Sequence, residues 1–294
     1  MTETSTGTGT GTRLDGRVAV VTGAGQGLGR RHALTLAGLG ASVVVNDVAD
    51  PGAVVDEIKS AGGTAVGNDD GVDTWEGGAS IVTTAVNTFG RVDIVVNNAG
   101  VLRDKSFAKM EPDMVGEVLE VHLNGAFHVT KAAWPSMAEQ GHGRVIMTSS
   151  GSGLYGNFGQ ANYGAAKMGV VGLTRVLALE GARSNIQVNA IAPLAKSQMT
   201  QNLLPEEILE RLAPEWVSPL VGYLASDACA DTGHIYSVAG GYYSRVAIVE
   251  GPGVRFDHVP TVDDLAAAHD QLVAVHPFSE PASLDDQVTL VAPS

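Results

Sequence analysis

Val18-Ala19-Val20-Val21-Thr22-Gly23-Ala24-Gly25-Gln26-Gly27-Leu28-Gly29 decides the architecture. The apolar run Val18 to Val21 reads as a buried strand, and Arg30 to Leu39 reads as a helix. Glycines between them allow a tight turn, close approach of backbone to a pyrophosphate, and close packing of helix on strand. The phosphates would then lie on the helix N-terminus. A second apolar strand, Ser42 to Asn46, ends at Asp47, eighteen residues after Gly29. A ribose-binding acid belongs at about that distance in a dinucleotide-binding unit. Gly23, Gln26, Gly27, Leu28, Gly29 and Asp47 are therefore the first cofactor-binding candidates.

Further along lies Ser150-Gly151-Ser152-Gly153-Leu154-Tyr155-Gly156-Asn157-Phe158-Gly159-Gln160-Ala161-Asn162-Tyr163-Gly164-Ala165-Ala166-Lys167. Tyr163 and Lys167 are four apart and share a face if this segment is helical. A free phenol has a pKa of about 10, and a nearby ammonium favours its ionised form. Ser150, thirteen residues before Tyr163, could hydrogen-bond an oxygen on a substrate held between them. On its own, Tyr-x-x-x-Lys recurs on many solvated helices. Downstream of a dinucleotide loop it becomes a strong signal for a site that moves one proton.

The rest of the chain alternates strand and helix. Strands are expected at Arg17–Val21, Ser42–Asn46, Thr64–Gly67, Asp93–Val96, Arg144–Thr148, Gln187–Ile191 and His234–Val238. Most are continuous apolar runs, as parallel strands covered on both faces require. Helices are expected at Ala53–Ala61, Ala79–Phe89, Val115–Gln140 and Gly159–Glu180. With right-handed crossovers this is an α/β, doubly wound, seven-stranded parallel sheet of Rossmann type. The ligand then lies where Gly23, Asp47, Asn98 and Ser150 follow strand ends. The expected division is a disordered lead-in over 1–14, one domain over 15–241, and an extension over 242–294. Residues 194–216, with Met199, Leu203 and Leu204, read as a segment able to close over a substrate. In the extension, Ser244 to Phe256 reads as a hairpin turning at Gly251-Pro252-Gly253. Thr261 and Asp264 then cap a helix from Val262 to Val273.

Composition narrows the partners. A net charge of −14 argues against nucleic acid, because no basic patch offsets phosphates. An anionic ligand would rely on local donors, with Arg103, Lys105 and Lys109 as candidate cations. A lone cysteine, Cys229, excludes a disulfide framework and a cysteine-built metal site, and no metal is expected. Neither a signal peptide nor a membrane-length apolar run is visible, nor a C-terminal Ser-Lys-Leu, so the expected location is the cytoplasm.

With Asn97-Asn98-Ala99-Gly100, Asn189-Ala190-Ile191-Ala192-Pro193 and Val238-Ala239-Gly240-Gly241 added, residues 15 to 241 resemble the short-chain dehydrogenase/reductase family. Within it the chain is most similar to the (3R)-hydroxyacyl-CoA dehydrogenase units of type 2 peroxisomal multifunctional enzymes. The stretches that carry this are Val43 to Asp47, Leu102-Arg103-Asp104, Ser106-Phe107-Ala108, Tyr155 to Tyr163, and Met199-Thr200-Gln201. The resemblance implies the strand order 3-2-1-4-5-6-7. It implies Tyr163 as the base taking the hydroxyl proton, Lys167 as its activator and nicotinamide-ribose ligand, and Ser150, rather than Ser149 or Ser152, on the substrate oxygen. Asp70 and Gly71 would bracket the adenine. Asn98, Ala99, Gly100, Pro193 and Thr200 would complete the cofactor site.

A carboxylate at Asp47 accepts from ribose hydroxyls and repels a 2′-phosphate, and Gln26 is neutral, so the expected cofactor is NAD. Many relatives carry Asn where this chain has His122. Two readings of that histidine stay open, a hydrogen-bonded core residue or a member of a proton relay. The resemblance also implies a homodimer or homotetramer built on the two long helices. Three functions compete: a (3R)-3-hydroxyacyl-CoA dehydrogenase, a 17β-hydroxysteroid dehydrogenase, and a catalytically silent NAD-binding sensor or scaffold. The intact Ser150, Tyr163 and Lys167 favour an enzyme.

Overall fold

The computed structural model describes residues 11–194 and 212–291. Compact structure divides the chain at Arg245, with a second unit starting at Val246. The first unit carries the strands β1 (Val18–Thr22), β2 (Ser42–Asn46), β3 (Thr64–Asn68), β4 (Ile94–Asn97), β5 (Gly143–Thr148), β6 (Ile186–Pro193) and β7 (Ile235–Ala239). An eighth strand, β8 (Tyr242–Val246), closes the sheet, whose order is 3-2-1-4-5-6-7-8. Pairing from β3 through β7 is parallel throughout. Chain direction across the sheet reverses between β1 and β4, where Val20 pairs with both Val44 and Val95. In a doubly wound sheet that switch point opens the crevice for a ligand.

Every residue of β1, β4 and β5 is buried, which is why these segments are continuous apolar runs rather than alternating ones. Helices cover them: α1 (Gly27–Gly38), α2 (Gly52–Ser60), α3 (Trp75–Phe89), α4 (Pro112–Leu119), α5 (Gly125–Gln140), α6 (Gly151–Tyr155), α7 (Ala161–Gly181) and α8 (Ser218–Ala225). Leu36 of α1 and Leu224 of α8 pack with Val21, Val45, Val96 and Ile146 in one core. At the opposite edge from the switch point, the wholly buried Asp93 ties strands together. Its carboxylate accepts from Val18 N at 2.9 Å and from Arg91 at 2.6 and 2.8 Å.

Two expectations for the sheet and its helices need correction. The helix expected over Val115–Gln140 is two helices joined by a single π turn, Glu120–Asn124, that carries His122. Ser244 to Phe256 forms no hairpin. The turn falls earlier, at Gly240-Gly241, where φ values of +53° and +85° suit a two-residue connection between twisted strands. β8 therefore joins the sheet, making eight strands.

The second unit holds α9 (Val262–Ala267), α10 (His269–Leu272) and α11 (Leu284–Val291). The cap is formed as expected: Thr261 Oγ1 accepts from Asp264 N, and Asp264 accepts from Thr261 N at 2.9 Å. The helix beyond it breaks at Ala268 into two short pieces. Among the described residues of this unit none is buried. No helix among the described residues is long and apolar enough to cross a membrane.

Candidate active site

The β1–α1 turn is shaped by backbone crowding. A Cβ on Gly29 would lie 2.1 Å from the Gly23 carbonyl oxygen, and one on Gly23 would lie 2.7 Å from Ala99 Cα. Thr22 laces this turn to the end of β4. Its Oγ1 accepts from Asn98 N and Ala99 N, both at 3.0 Å. Asn98 Nδ2 in turn donates to the carbonyls of Thr22 and Gly23. The sequence showed Asn98 but not Thr22, whose signal was a hydroxyl at the last strand position before the glycines.

A dinucleotide fits what is left. Helix α1 has no side-chain cap at Gln26 and no acid in its first turn, so its leading N–H groups remain available to an anion. A Cβ built on Gly27 would meet nothing within 4 Å, leaving an open approach to the backbone beside Leu28. Asp47 stands at the end of β2 with Oδ2 accepting from Gly25 N at 2.9 Å and Oδ1 from Ala49 N at 3.0 Å. These bonds fix the carboxylate and leave lone pairs on both oxygens for hydroxyl donors.

Asp70 follows β3. Ser80 donates to its Oδ2 at 2.6 Å and Asn68 at 3.0 Å, and these bonds hold its pKa below the usual carboxylate value. Next to it, the Gly71 carbonyl touches the start of α3, 1.9 Å from where a Cβ on Gly77 would lie. Pro193 is the last residue of β6. Thr200 lies outside the described residues, as do residues 195–211 of the expected closing segment 194–216.

The chemistry gathers at the ends of β4 and β5. Ser150 follows β5 and caps α6, its Oγ accepting from Ser152 N at 3.2 Å. Its hydroxyl stands near enough to the Tyr163 phenol to favour the phenol's ionised form. Tyr163 and Lys167 sit one turn apart on α7, with Nζ 5.7 Å from the phenol ring centroid. Lys167 is 3% exposed, and its Nζ donates to Thr148 O at 2.6 Å. Ser149, one residue before Ser150, is buried and donates to Lys167 O, a structural task. Ser152 supplies only a backbone donor to Ser150.

Burial is the largest influence on the electrostatics of the pair. Desolvation pushes Tyr163 up, with the Ser150 hydroxyl opposing it and Asp104 adding to the rise. Desolvation also pushes Lys167 down to about 7. Taking an ionisable group out of water disfavours its charged form. Three residues that the sequence did not single out hold the frame. Asn162 donates to the carbonyls of Arg103 and Met114, and Gln160 donates to Asp104 Oδ2 at 2.9 Å. Asn157 donates to Gln160. Of the candidate cations, Arg103 pairs with Glu117 at 2.5 Å.

A switch-point crevice with a free helix N-terminus, together with a serine, tyrosine and lysine at one strand edge, matches a known family. The short chain dehydrogenase family model matches residues 17–208. The chain belongs to the short-chain dehydrogenase/reductase family. It is an oxidoreductase, and the family's cofactor is NAD or NADP.

A short-chain type dehydrogenase/reductase of Mycobacterium tuberculosis is 54% identical over 262 residues, covering 85% of this chain and 92% of that one. The full-length structure of peroxisomal multifunctional enzyme type 2 from Drosophila melanogaster superposes with a TM-score of 0.84 at 40% identity. That match covers 94% of this chain and 49% of the other, so this short-chain dehydrogenase spans about half its length. A 7α-hydroxysteroid dehydrogenase, solved with NADH and 7-oxo glycochenodeoxycholic acid, superposes with a TM-score of 0.73 at 32% identity. It is covered to 96%, against 79% of this chain.

Proposed function

We propose that this short-chain dehydrogenase interconverts a (3R)-3-hydroxyacyl-CoA and the 3-oxoacyl-CoA, with NAD as cofactor. The observation that carries the chemistry is the placing of Ser150, Tyr163 and Lys167 at one strand edge beside an uncapped α1. Bound NAD would supply the hydride acceptor. Ser150 holds the substrate oxygen, Tyr163 takes its proton, and Lys167 lies under the phenol, in reach of a ribose. Because burial raises the phenol, the resting site holds Tyr163 protonated. Reduction of a ketone is then served at neutral pH, whereas alcohol oxidation gains as pH rises towards the phenol's pKa.

One feature supports an apolar acyl substrate. Loops 101–110 and 155–160 are tied by Lys105 N donating to Gly159 O at 2.9 Å. They present Phe107, Tyr155 and Phe158 to solvent, exposed by 84%, 72% and 91%. The likeness to a multifunctional peroxisomal enzyme supports the thioester. Asp47 supports NAD over NADP, since its fixed carboxylate would repel a 2′-phosphate.

The test is a rate comparison with NAD and NADP on (3R)- and (3S)-3-hydroxyacyl-CoA thioesters and a 17β-hydroxysteroid. The 3R thioester with NAD should show the highest kcat/KM, and Asp47→Ser should relax the cofactor preference. A faster steroid would move the substrate to the sterol class. Faster NADP would overturn the reading of Asp47. NAD binding without turnover of any alcohol would make the protein a sensor or scaffold.

A further inference from the structure

Asp104 brings a carboxylate to the site, and no cation pairs with it among the described residues. Its Oδ2 accepts from Gln160 Nε2 at 2.9 Å, while Oδ1 is buried without a partner. The neighbouring Arg103 turns instead to Glu117. Leaving a buried carboxylate oxygen unpaired costs free energy, so such a group calls for a reason. The reason lies at the head of α7. Successive residues of the 101–110 loop are tied to it: Arg103 O accepts from Asn162 Nδ2 at 3.0 Å, Asp104 from Gln160, and Lys105 N donates to Gly159 O at 2.9 Å. Gln160 is the N-cap of α7, yet its side chain caps no N–H of the helix. Its amide nitrogen goes to Asp104, and its oxygen accepts from Asn157 Nδ2 at 3.0 Å. We propose that Asp104 is a positioning residue of the reaction, whose carboxylate anchors the head of α7 and sets a fixed negative charge beside the Tyr163 phenol. It rests on the reading of Tyr163 as the proton-transfer group.

Groups from every side act on that phenol. From α7 comes Lys167, with Nζ 5.7 Å from the ring centroid. Burial lowers this lysine to about 7, so its positive charge is only partial at neutral pH. From the π turn comes His122, edge to face with the phenol ring, centroids 5.1 Å apart. Burial, then the Lys167 charge, lowers it to about 3, and it stays neutral. Ser150 at the end of β5 favours the phenolate, whereas burial first and then Asp104 oppose it. A like charge disfavours ionisation of its neighbour. Asp104 therefore holds the proton on Tyr163 until a ketone oxygen takes it, and defers alcohol oxidation to higher pH.

The experiment uses two variants. Asp104→Asn removes the charge, while an amide oxygen of the same shape still accepts from Gln160. Asp104→Ala removes the anchor as well. Tyrosine ring NMR, with the Tyr163 resonance assigned from Tyr163→Phe, follows the phenol through its titration. In both variants the midpoint should fall by about one pH unit, as loss of a close like charge implies. With NAD and a (3R)-3-hydroxyacyl-CoA, the acidic limb of kcat for oxidation should move down by the same amount. Asp104→Ala should also lose about 10–100-fold in the plateau of kcat, as small misplacements of a reacting group do, and Asp104→Asn should recover most of that loss. An unchanged phenol midpoint in both variants, or an alanine variant with wild-type plateau kcat, would overturn the proposal. Wild-type protein inactive on every thioester would sink the substrate reading instead, and the phenol titration would still decide this one.

Discussion

His32 is wholly buried on α1, with Nδ1 2.8 Å from Ser218 Oγ and Nε2 without a partner. Desolvation lowers it to about 3, while His142 falls to about 4 and His122 to about 3. Below about pH 6.5 the unfolded chain binds protons at these three positions that the folded protein refuses, so stability falls with pH until it reaches the folded values. At pH 5, His32 alone accounts for about 2 kcal/mol of that loss. His32→Asn offers an amide near the Ser218 contact and removes the titration. Its melting temperature should therefore drop less than the wild type's between pH 7.5 and pH 5, and an equal drop would contradict this account. The gathering of Ser150, Tyr163 and Lys167 was legible at this scale, because spacing fixes them along one strand end and one helix. Their electrostatics were not, since burial depends on what packs from elsewhere in the chain.

The β1–α1 turn is the element on which the proposed cofactor binding rests, and its glycines are not equivalent. On Gly29 a Cβ would strike both the Gly23 carbonyl and Asn98 Nδ2, at 2.1 and 2.5 Å, whereas on Gly38 of the same helix it would meet nothing within 4 Å. Gly29→Ala should weaken NAD binding at least tenfold and lower the melting temperature. Gly38→Ala should leave binding alone and raise stability by up to about 1 kcal/mol, the helix preference of alanine over glycine. Calorimetric titration with NAD and a thermal melt of each variant check both statements. The strands were readable because burial on both faces writes a continuous apolar run. β8 was not. Its residues are half-buried or exposed, so it carries no such run, and Gly251-Pro252-Gly253 looked the stronger turn. The π turn was equally silent, because one extra residue in a helix leaves no mark on composition.

At the scale of the molecule, the alternation of elements gave a doubly wound sheet and the family resemblance its strand order, which puts the candidate site at the β1/β4 switch point. A groove of about 560 Å³ opens elsewhere, between α5 and α7, lined by Phe127, Trp134, Leu173, Val176 and Leu177. None of these is a site residue. We propose that a second copy of the chain covers this face, since apolar patches of this kind mark interfaces. Sedimentation should find a dimer or tetramer, and Val176→Arg should shift it towards monomer; a monomeric wild type would refute the assembly. The central claim is that Tyr163 moves the substrate proton, and the phenylalanine variant tests it most directly. With NAD and a (3R)-3-hydroxyacyl-CoA, Tyr163→Phe should lose at least the ~10²–10⁴-fold in kcat typical of a removed general acid or base, while its affinity for NAD stays near wild type. Substantial NADH formation by that variant would contradict the account and give the proton to another residue.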